Sequence, residues 1–422
     1  MRQSRLFTKT RKEAPADEVS KNAELLIRGG FIHKEMAGVY SYLPLGLRVL
    51  KKIENIIREE MNKVGGQEIL MSALQNPELS KKTNRWSDEV VDTWFKTKLK
   101  NDAELGLGFS HEEPLVNILT NFISSYQDLP LAVYQFQTKF RNELRAKSGI
   151  LRGREFLMKD MYSFHAGEED FEKFYDLMKD SYKNIYKRAG IGHITYMTFA
   201  SGGIFSKYSH EFQTITPAGE DTIYVDEASS VAVNKEVFND EVLKNLGLEK
   251  DKLVEQRAIE VGNIFELKDR FSKPFDLSFT DPKGKKHTII MGCYGIGLGR
   301  LMGTVVETLS DDKGIIWPQS IAPFQLHLLA LGDDGEVVAE ADKIYESLSK
   351  SNIEVLFDDR RETSAGEKFA DADLLGIPWR AVISSRSLKE GGIELKKRTE
   401  EKGKIISLAS LDELLNIVKS GN

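Results

Sequence analysis

Hydrophobic residues recur every three or four positions along residues 47–64, and this spacing predicts a long amphipathic helix with a charged outer face. Gly65 and Gly66 follow, and glycine commonly ends a helix. The apolar run at 66–74 predicts a buried strand. Further runs typical of strands lie at 131–140, 156–164, 221–226 and 287–297. Because their intervals are too variable for simple hairpins or βαβ units, the pattern favours an α+β fold with a large antiparallel sheet flanked by helices.

The pattern changes at about residue 323, where strands begin to alternate with helices. Strands are predicted at 324–331, 353–359, 379–385 and 393–398, and helices at 336–350, 364–376 and 411–420. This alternation is typical of an α/β domain with a mostly parallel sheet. Pro318 and Pro323 mark the boundary, which predicts one domain over 1–322 and a second over 323–422. Residues 228–257 are highly charged and lack strand signals, so we expect a surface connector inserted into the first domain.

Composition restricts the class of protein. Of the 422 residues, 41% are hydrophobic and 29% are charged, which is ordinary for a globular protein and argues against disorder. No apolar run is long enough for a membrane span. Cys293 is the only cysteine, which excludes an internal disulfide or a zinc site built on cysteine pairs and fits a cytoplasmic protein. The basic segment 1–12 leaves an organellar transit peptide as the alternative.

The net charge of −6 argues only weakly against a nucleic-acid partner, because binding depends on local patches. Residues 139–159 hold such a patch, with seven basic residues against two acidic ones. The basic residues are Lys139, Arg141, Arg145, Lys147, Arg152, Arg154 and Lys159. A hairpin of this composition suits a polyphosphate, because guanidinium groups bind phosphate oxygens in pairs; the alternative is a solvated loop. Glu143 could accept a hydrogen bond from an amino group such as that of adenine, and Phe156 could stack on a base.

Three further segments are candidates for chemistry. Residues 292–300 are glycine-rich and end in Arg300, which suits a ligand at a helix entrance or a tightly packed turn, but they match neither standard nucleotide fingerprint. In the segment 109–114, Ser110 and Glu113 have the spacing of a capping box; alternatively Ser110 or Glu112 faces a cationic ligand.

The third segment is 206–214, where Glu211 and Gln213 share one strand face. Their oxygen atoms could bind a metal ion that accompanies a nucleotide. The chain shows no recognisable serine–histidine–acid pattern, so covalent catalysis has no support in the sequence.

The sequence resembles a known family at several of these places. Phe140-Arg141-Asn142-Glu143 and, after a loop, Arg154-Glu155-Phe156 resemble motif 2 of class II aminoacyl-tRNA synthetases, and GIGLGR ending at Arg300 resembles motif 3. The strings LPLAVYQFQTKFRNELR, REFLMKDMYSFH, SHEFQ and MGCYGIGLGR are similar, in order and spacing, to the bacterial-type prolyl-tRNA synthetases. The resemblance covers nearly the whole chain. It places motif 1 at about 38–74, motif 2 at about 136–164 and motif 3 at about 290–308.

The resemblance implies a class II catalytic domain, with its antiparallel sheet flanked by helices, followed by an α/β anticodon-binding domain. The implied reaction joins L-proline to ATP, giving prolyl-adenylate and pyrophosphate, and then transfers the prolyl group to the 3′ end of tRNA(Pro). It needs ATP and Mg²⁺, no zinc and no membrane, and the family member is expected to be a homodimer. Neither step requires an enzyme nucleophile, so catalysis is expected to depend on positioning and charge stabilisation.

The resemblance also implies roles for individual residues. The ATP contacts would be Arg141, Glu143, Arg152, Phe156, Glu211, Gln213 and Arg300. Arg141 and Arg300 would be the catalytic residues, and Glu211 would ligate the magnesium ion. The proline-binding residues would be Ser110, Glu112, Arg141, His165, His210 and Cys293. The tRNA contacts would be Arg360, Glu362, Lys368, Lys396, Lys397 and Arg398.

This sequence departs from the family pattern in three respects. Ser110 and Phe109 replace the usual threonine and proline, and Ser72 replaces a proline of motif 1, which serves the dimer interface. The short connector leaves no room for the editing domain that many bacterial members carry. Two alternatives remain open, namely another synthetase of the same subclass, such as one for threonine or histidine, and a non-catalytic synthetase-like RNA-binding protein.

Overall fold

The computed structural model describes residues 1–144, 146, 148–408 and 411–420, so that Arg145 and Lys147 of the cationic hairpin lie outside the described residues. The chain forms two compact units. The core unit comprises Glu35–Tyr40 and Ile53–Thr304, and the C-terminal unit comprises Met1–Lys34, Ser41–Lys52 and Val305–Asn422.

The elements are numbered in chain order. The strands are β1 (Ile32–Met36), β2 (Val39–Tyr42), β3 (Gln67–Glu68), β4 (Leu74–Gln75), β5 (Lys96–Lys98), β6 (Glu104–Leu107), β7 (Leu131–Phe140), β8 (Glu155–His165), β9 (Thr195–Ser201), β10 (Tyr208–Ile215), β11 (Asp221–Asp226), β12 (Val231–Asn234), β13 (Val254–Lys268), β14 (Ser278–Thr280), β15 (Lys286–Thr288), β16 (Ile290–Gly297), β17 (Leu326–Ala330), β18 (Val355–Asp358), β19 (Trp379–Ile383), β20 (Gly392–Lys397) and β21 (Lys404–Ser407). The α-helices are α1 (Lys21–Arg28), α2 (Pro44–Lys63), α3 (Pro77–Lys82), α4 (Glu112–Leu119), α5 (Glu168–Arg188), α6 (Asp240–Leu246), α7 (Leu298–Thr308), α8 (Gly335–Lys350), α9 (Ala365–Leu375), α10 (Ser385–Lys389) and α11 (Leu411–Ser420).

The core unit is built on a nine-stranded sheet in the order β10-β9-β12-β11-β13-β16-β8-β7-β3. Its central pairs are antiparallel, whereas β12–β9 and β3–β7 are parallel. The predicted antiparallel sheet flanked by helices is therefore confirmed. The longest ladder joins β7 and β8, from Leu131 opposite Phe164 to Phe140 opposite Glu155.

The long helix α5 covers one face of this sheet. Its Tyr182 ring lies 5.1 Å from the ring of Phe212 on β10, and its hydroxyl accepts a hydrogen bond of 2.8 Å from Lys159 on β8. The opposite face carries a second apolar cluster that includes Tyr162, Phe164 and Cys293. Because alternate residues of a strand point to opposite faces, each sheet position belongs either to the α5 layer or to this second side.

Two local predictions in this unit are wrong. Residues 66–74 do not form one buried strand. This segment contains only the two-residue strand β3 and the start of the two-residue strand β4, and Leu70 and Leu74 are exposed. Residues 228–257 are not a bare connector, since they contain β12 and α6, and Val233 and Leu243 belong to a small apolar core. Short strands and helices with few apolar residues give weak periodicity, which explains both errors.

The C-terminal unit contains a five-stranded sheet in the order β18-β17-β19-β20-β21. β17 pairs in parallel with β18 and β19, but β20 and β21 are antiparallel, so the sheet is mixed rather than mostly parallel. The chain start extends its edge: the Phe357 amide donates to the Met1 carbonyl at 2.8 Å. This pairing explains why the first residues group with this unit and not, as predicted, with the domain 1–322.

No helix in the described ranges is both long enough and apolar enough to cross a membrane.

An internal ion pair provides a test of stability in the C-terminal unit. Arg398, nearly buried, donates to both carboxylate oxygens of Asp311 at 2.9 and 2.7 Å. This bonding and the charge of Arg398 lower the pKa of Asp311 to about 2. Asp311→Asn should therefore reduce the free energy of unfolding at pH 7 by about 1 kcal/mol, a low value for a charged hydrogen bond because water screens the pair.

Urea-induced unfolding, followed by tryptophan fluorescence, measures this difference, and Asp312→Asn at the exposed neighbouring position is the control. Since the pKa of Asp311 is depressed in the folded state, its contribution is present above pH 4 and is lost as the pH falls toward 2. A difference between wild type and Asp311→Asn that stays constant down to pH 2 would contradict this account.

Candidate active site

A cavity of about 210 Å³ opens on the face of the nine-stranded sheet that α5 does not cover. Residues from β7, β8, β13 and β16 line it, together with residues next to the start of α4. The glycine-rich end of β16 forms part of the wall, and a Cβ on Gly295 would come within 2.5 Å of Met158. The glycine therefore leaves room for the Met158 side chain, which also lines the cavity.

Eight of the residues predicted for the site line this one cavity. They are Ser110, Glu112, Arg141, Glu143, Arg152, Phe156, Cys293 and Arg300. They come from four separate stretches of the chain, which the sheet brings together.

Two arginines lie along one part of the wall. The Arg141 guanidinium lies 5.0 Å from the ring centre of Phe109 and 5.4 Å from that of Phe156, and its buried Nε has no hydrogen-bond partner among the described residues. Burial, and then the charge of Arg300, lower the pKa of Arg141. Arg300 is fixed by Nε, which donates to the Leu151 carbonyl at 2.9 Å. Two cations held close together in this way favour an anionic ligand between them.

Beside Arg300 lies a cluster of acids and amides. Arg300 Nη1 is 2.9 Å from Glu260 Oε2, and Asn263 donates to Glu260 at 3.1 Å and to Glu211 at 3.4 Å. Glu211 also accepts from Gln213 at 2.8 Å, which agrees with their predicted position on one strand face. Burial, and then the charge of Glu260, raise the pKa of Glu211 to about 8. Burial and the neighbouring Glu260 carboxylate therefore favour the protonated, neutral form of Glu211 in the protein alone.

Glu211 and Gln213 do not line the cavity themselves, whereas Glu260 and Asn263 do. The two predicted residues lie on the neighbouring strand β10, where Glu211 is opposite Asn263 of β13 and Gln213 is opposite Glu260.

At another part of the wall, Glu112 is completely buried, and its Oε2 accepts a hydrogen bond from Ser110 Oγ. The Cys293 thiol lies 3.7 Å from Glu112 Oε1. Burial, and then the charge of Glu112, raise the pKa of Cys293, so the thiol stays neutral. The neutral thiol is a weak nucleophile, and it forms part of the cavity wall.

Sequence reasoning did not single out Asp160, which also lines the cavity. Its Oδ2 accepts from Gln135 at 3.0 Å, from Lys139 at 2.9 Å and from Tyr162 at 2.9 Å, whereas its buried Oδ1 has no partner within the described part of the chain. The signal was present in the sequence, since Asp160 is four positions after Phe156 on the same face of β8.

The prediction that His165 and His210 wall this cavity is wrong. Nδ1 of His165 is 2.6 Å from the carboxylate of Asp170 on α5. The His165 ring packs against Phe171 of the same helix. His210 Nδ1 bonds the hydroxyl of Tyr175 on α5 at 2.9 Å. Both histidines occupy the strand positions that point toward α5, so the sheet separates them from the cavity.

Half of the residues predicted to contact tRNA are used inside the C-terminal unit. Lys368 is buried and donates to the Ala330 carbonyl at 2.6 Å, and Arg360 pairs with Asp358 and Asp371. Arg398 pairs with Asp311, as described above.

The side chains of Arg360, Lys368 and Arg398, which the resemblance implies as tRNA contacts, are thus held by partners within this unit. Glu362 is exposed, and Lys396 and Lys397 are half-buried on β20. The ammonium of Lys397 lies 5.6 Å from the ring centre of Trp379.

Comparison with known proteins agrees with this architecture. Residues 95–309 match the family described as tRNA synthetase class II core domain (G, H, P, S and T), and residues 325–420 match the anticodon binding domain. The chain is also similar to the crystal structure of prolyl-tRNA synthetase from Cryptosporidium parvum complexed with halofuginone and AMPPNP. The TM-score is 0.77 at 15% identity, covering 94% of this chain and 76% of that one, which shows a shared fold.

Curated relatives are much closer in sequence. A proline--tRNA ligase from a Wolbachia species of Drosophila simulans is 39% identical over 411 residues, covering 94% of this chain and 95% of its own. One from Zymomonas mobilis is 36% identical over 446 residues, covering 100% and 99%. One from Dehalococcoides mccartyi is 35% identical over 568 positions, covering 100% and 99%.

The last alignment is 146 positions longer than the 422 residues of this chain, so that relative carries internal sequence that this chain lacks. The Wolbachia and Zymomonas alignments show no excess of this size. With the matching core, the matching anticodon-binding domain and full-length relatives at 35–39% identity, the chain belongs to the proline--tRNA ligase family of class II tRNA synthetases.

Proposed function

We propose that this chain activates L-proline with ATP and transfers the prolyl group to the 3′ end of tRNA(Pro). One observation carries the proposal: a single cavity has an arginine pair on one part of its wall and a buried carboxylate on another. The first suits a polyphosphate and the second suits a cationic amino acid. Family membership supports the same reaction.

In the first step, a carboxylate oxygen of proline attacks the α-phosphorus of ATP and pyrophosphate leaves. Arg141 is proposed to hold the α-phosphate and the proline carboxylate, and Arg300 to hold the γ-phosphate side. Their positive charges would stabilise the negative charge that develops on the phosphate oxygens. Glu143 is proposed to accept from the adenine amino group, Phe156 to stack on adenine, and Arg152 to give a further phosphate contact.

The acidic cluster fits a magnesium ion that arrives with ATP. The buried oxygens Gln213 Oε1 and Asn263 Oδ1 have no partner among the described residues. The carboxylates of Glu211 and Glu260 lie beside them, since Asn263 donates to both. Oxygen ligands are those that Mg²⁺ prefers.

Glu211 would hold the ion together with nucleotide oxygens, and the ion would supply charge neutralisation at the phosphates. In the ranges that the structure describes, no group of three or more histidine, cysteine, aspartate and glutamate side chains is placed to hold a metal, and the proposal needs no zinc.

Proline is proposed to bind where Ser110, Glu112 and Cys293 meet. Glu112 would accept a hydrogen bond from the cationic nitrogen, and Cys293 would contact the ring. Asp160 is also proposed for the site, because it lines the same cavity and its buried Oδ1 has no partner among the described residues.

For the second substrate, Lys396 and Lys397 are proposed to contact tRNA phosphates. A cytoplasmic homodimer is proposed from the family resemblance. The exposed apolar side chains of Leu70 and Leu74 in motif 1 support an interface there.

The proline-dependent exchange of pyrophosphate into ATP tests the first step. Arg141→Ala and Arg300→Ala should each reduce exchange by about 100-fold or more, because each removes charge stabilisation of the transferring phosphate. Arg257→Ala, at an exposed position of β13, is the control and should exchange normally. Near-normal exchange by either cavity variant would refute the assignment.

The same assay separates the alternatives. Exchange that depends on threonine or histidine instead of proline would favour another synthetase. No exchange with any amino acid would favour a non-catalytic RNA-binding protein. The presence of Arg141, Glu143, Phe156 and Arg300 in one cavity supports the catalytic alternative.

Alanine should be misactivated at a measurable rate. It lacks two methylene groups of proline, and a hydrophobic pocket discriminates by about 1–3 kcal/mol for each, so the preference for proline should be on the order of 10²- to 10⁴-fold. Because this chain lacks the internal sequence of longer relatives, it should not hydrolyse alanyl-tRNA(Pro). Rapid hydrolysis by the purified protein would contradict this prediction.

Lys397→Ala should weaken tRNA charging and leave proline-dependent exchange unchanged. The lost contact is to a phosphate, so the defect should shrink as salt is raised. Aminoacylation at two salt concentrations measures the effect, with Lys402→Ala at an exposed position as the control. An equal loss in exchange and charging would instead indicate damage to the fold.

A further inference from the structure

A completely buried arginine lies behind the proposed proline-binding carboxylate. Only 1% of the Arg85 side chain is exposed, and it follows α3 in the core unit. Its Nη1 donates to Glu112 Oε2 at 3.0 Å and to the two carboxylate oxygens of Glu113 at 3.1 and 3.0 Å. Its carbonyl accepts from Trp94 Nε1 at 2.8 Å, so its backbone is also fixed.

The rest of the Arg85 guanidinium is surrounded by aromatic rings. Its central carbon lies 5.7 Å from the ring centre of Phe109 and 5.1 Å from those of Phe205 and Phe271. Its Nε and Nη2 are buried and have no hydrogen-bond partner among the residues described. In such surroundings a charge is poorly screened, so Arg85 acts strongly on the carboxylates that it touches.

The two carboxylates are not equivalent. Glu113 is bonded by Thr83 Oγ1 at 2.6 Å in addition to Arg85. Glu112 uses Oε2 for Arg85 and Ser110. Among the described side chains, its Oε1 has only the weak thiol donor of Cys293 at 3.7 Å. Glu112 lines the cavity and Glu113 does not. Oε1, the oxygen with spare acceptor capacity, lies next to Cys293, which lines the cavity.

Arg85 is the cation that is bonded to both buried carboxylates. Arg270 also interacts with both carboxylates, but it is exposed, so water screens it. Lys139 and Arg141 also act electrostatically on Glu112, and Lys139 is bonded to Asp160. An ionised Glu112 with Oε1 available would attract a ligand with a positive charge, and proline carries this charge on its ring nitrogen.

We propose that Arg85 is a positioning residue for amino-acid recognition, which holds Glu112 ionised with Oε1 toward the cavity so that this carboxylate selects a cationic ring nitrogen. The inference rests on the proposed function, specifically on the assignment of Glu112 to the proline nitrogen. Burial alone would raise the pKa of Glu112, but the charge of Arg85 and the hydrogen bonds from Ser110 and Arg85 hold that pKa below its usual value.

Without Arg85, two carboxylates would remain in an apolar interior. Such groups take up protons rather than stay charged. A protonated Glu112 no longer attracts a cation, so proline binding should weaken while ATP binding is unaffected.

The test uses Arg85→Met, which keeps the volume of the side chain and removes its charge, and Arg85→Lys, which keeps the charge but only one donor group. Pyrophosphate exchange gives KM for proline, KM for ATP and kcat. Arg85→Met should raise KM for proline on the order of 100-fold and change KM for ATP by less than about twofold. Arg85→Lys should fall between Arg85→Met and wild type.

A charge-specific readout separates positioning from general damage. Tetrahydrofuran-2-carboxylate has the ring of proline with oxygen in place of nitrogen, so it carries no positive charge. Its inhibition constant against proline should change little in Arg85→Met. The control is Arg58→Met, which removes an arginine that likewise pairs with two carboxylates, Glu54 and Glu68, and lies 4.7 Å from the ring centre of Phe136, outside the cavity.

A proline KM that is unchanged in Arg85→Met overturns the inference. So does a parallel rise of the proline KM, the ATP KM and the inhibition constant, which is the signature of a merely structural role. If thermal unfolding shows that Arg85→Met does not fold, Arg85→Lys decides by the same comparison of proline with its oxygen analogue. A wild-type protein with no proline-dependent exchange would instead refute the proposed function itself.

Discussion

The alternation of side chains across the nine-stranded sheet determines which residues can take part in the site. On β8, Phe156, Met158, Asp160 and Tyr162 point to the cavity, whereas the residues between them point to α5. The ladder with β7 fixes this register over ten pairs. A shift by one residue would exchange the two sets completely, so the active-site composition depends on strand register more than on any single contact.

The same sheet must bury charge, and each buried charge restricts the others. Lys139 pairs with Asp160 at 2.9 Å, and both are almost fully enclosed. Arg85 likewise forms buried ion pairs with Glu112 and Glu113. Breaking one partner of such a pair leaves an uncompensated charge, which is far more costly than the net gain from the pair. The buried charges that line the cavity and those behind it therefore constrain one another.

The sequence predicted the elements with strong periodicity and the residues within contiguous motifs. The helix expected at 47–64 is α2, and Arg141, Phe156 and Arg300 do line one cavity. The sequence-based prediction failed where the position of a side chain depended on the face of the strand. His165 is nine positions after Phe156 on β8, and this odd spacing places it on the α5 side. Sequence reasoning could not find Arg85, because nothing local marks an arginine whose partners lie 27 and 28 positions away.

In the C-terminal unit, counting charges along the chain is also an incomplete guide to the proposed RNA contacts, because the partners of some basic residues are distant in sequence. Residues 380–404 contain eight basic residues against four acidic ones, and they include Lys396, Lys397 and Arg398, three of the implied tRNA contacts. Asp311, far outside that segment, nevertheless neutralises Arg398. A local excess of charge measures what a surface could attract only after internal pairs are subtracted, and those pairs are fixed by the fold. Because Arg398 is paired within the unit, the proposed RNA contact is assigned to Lys396 and Lys397 on β20.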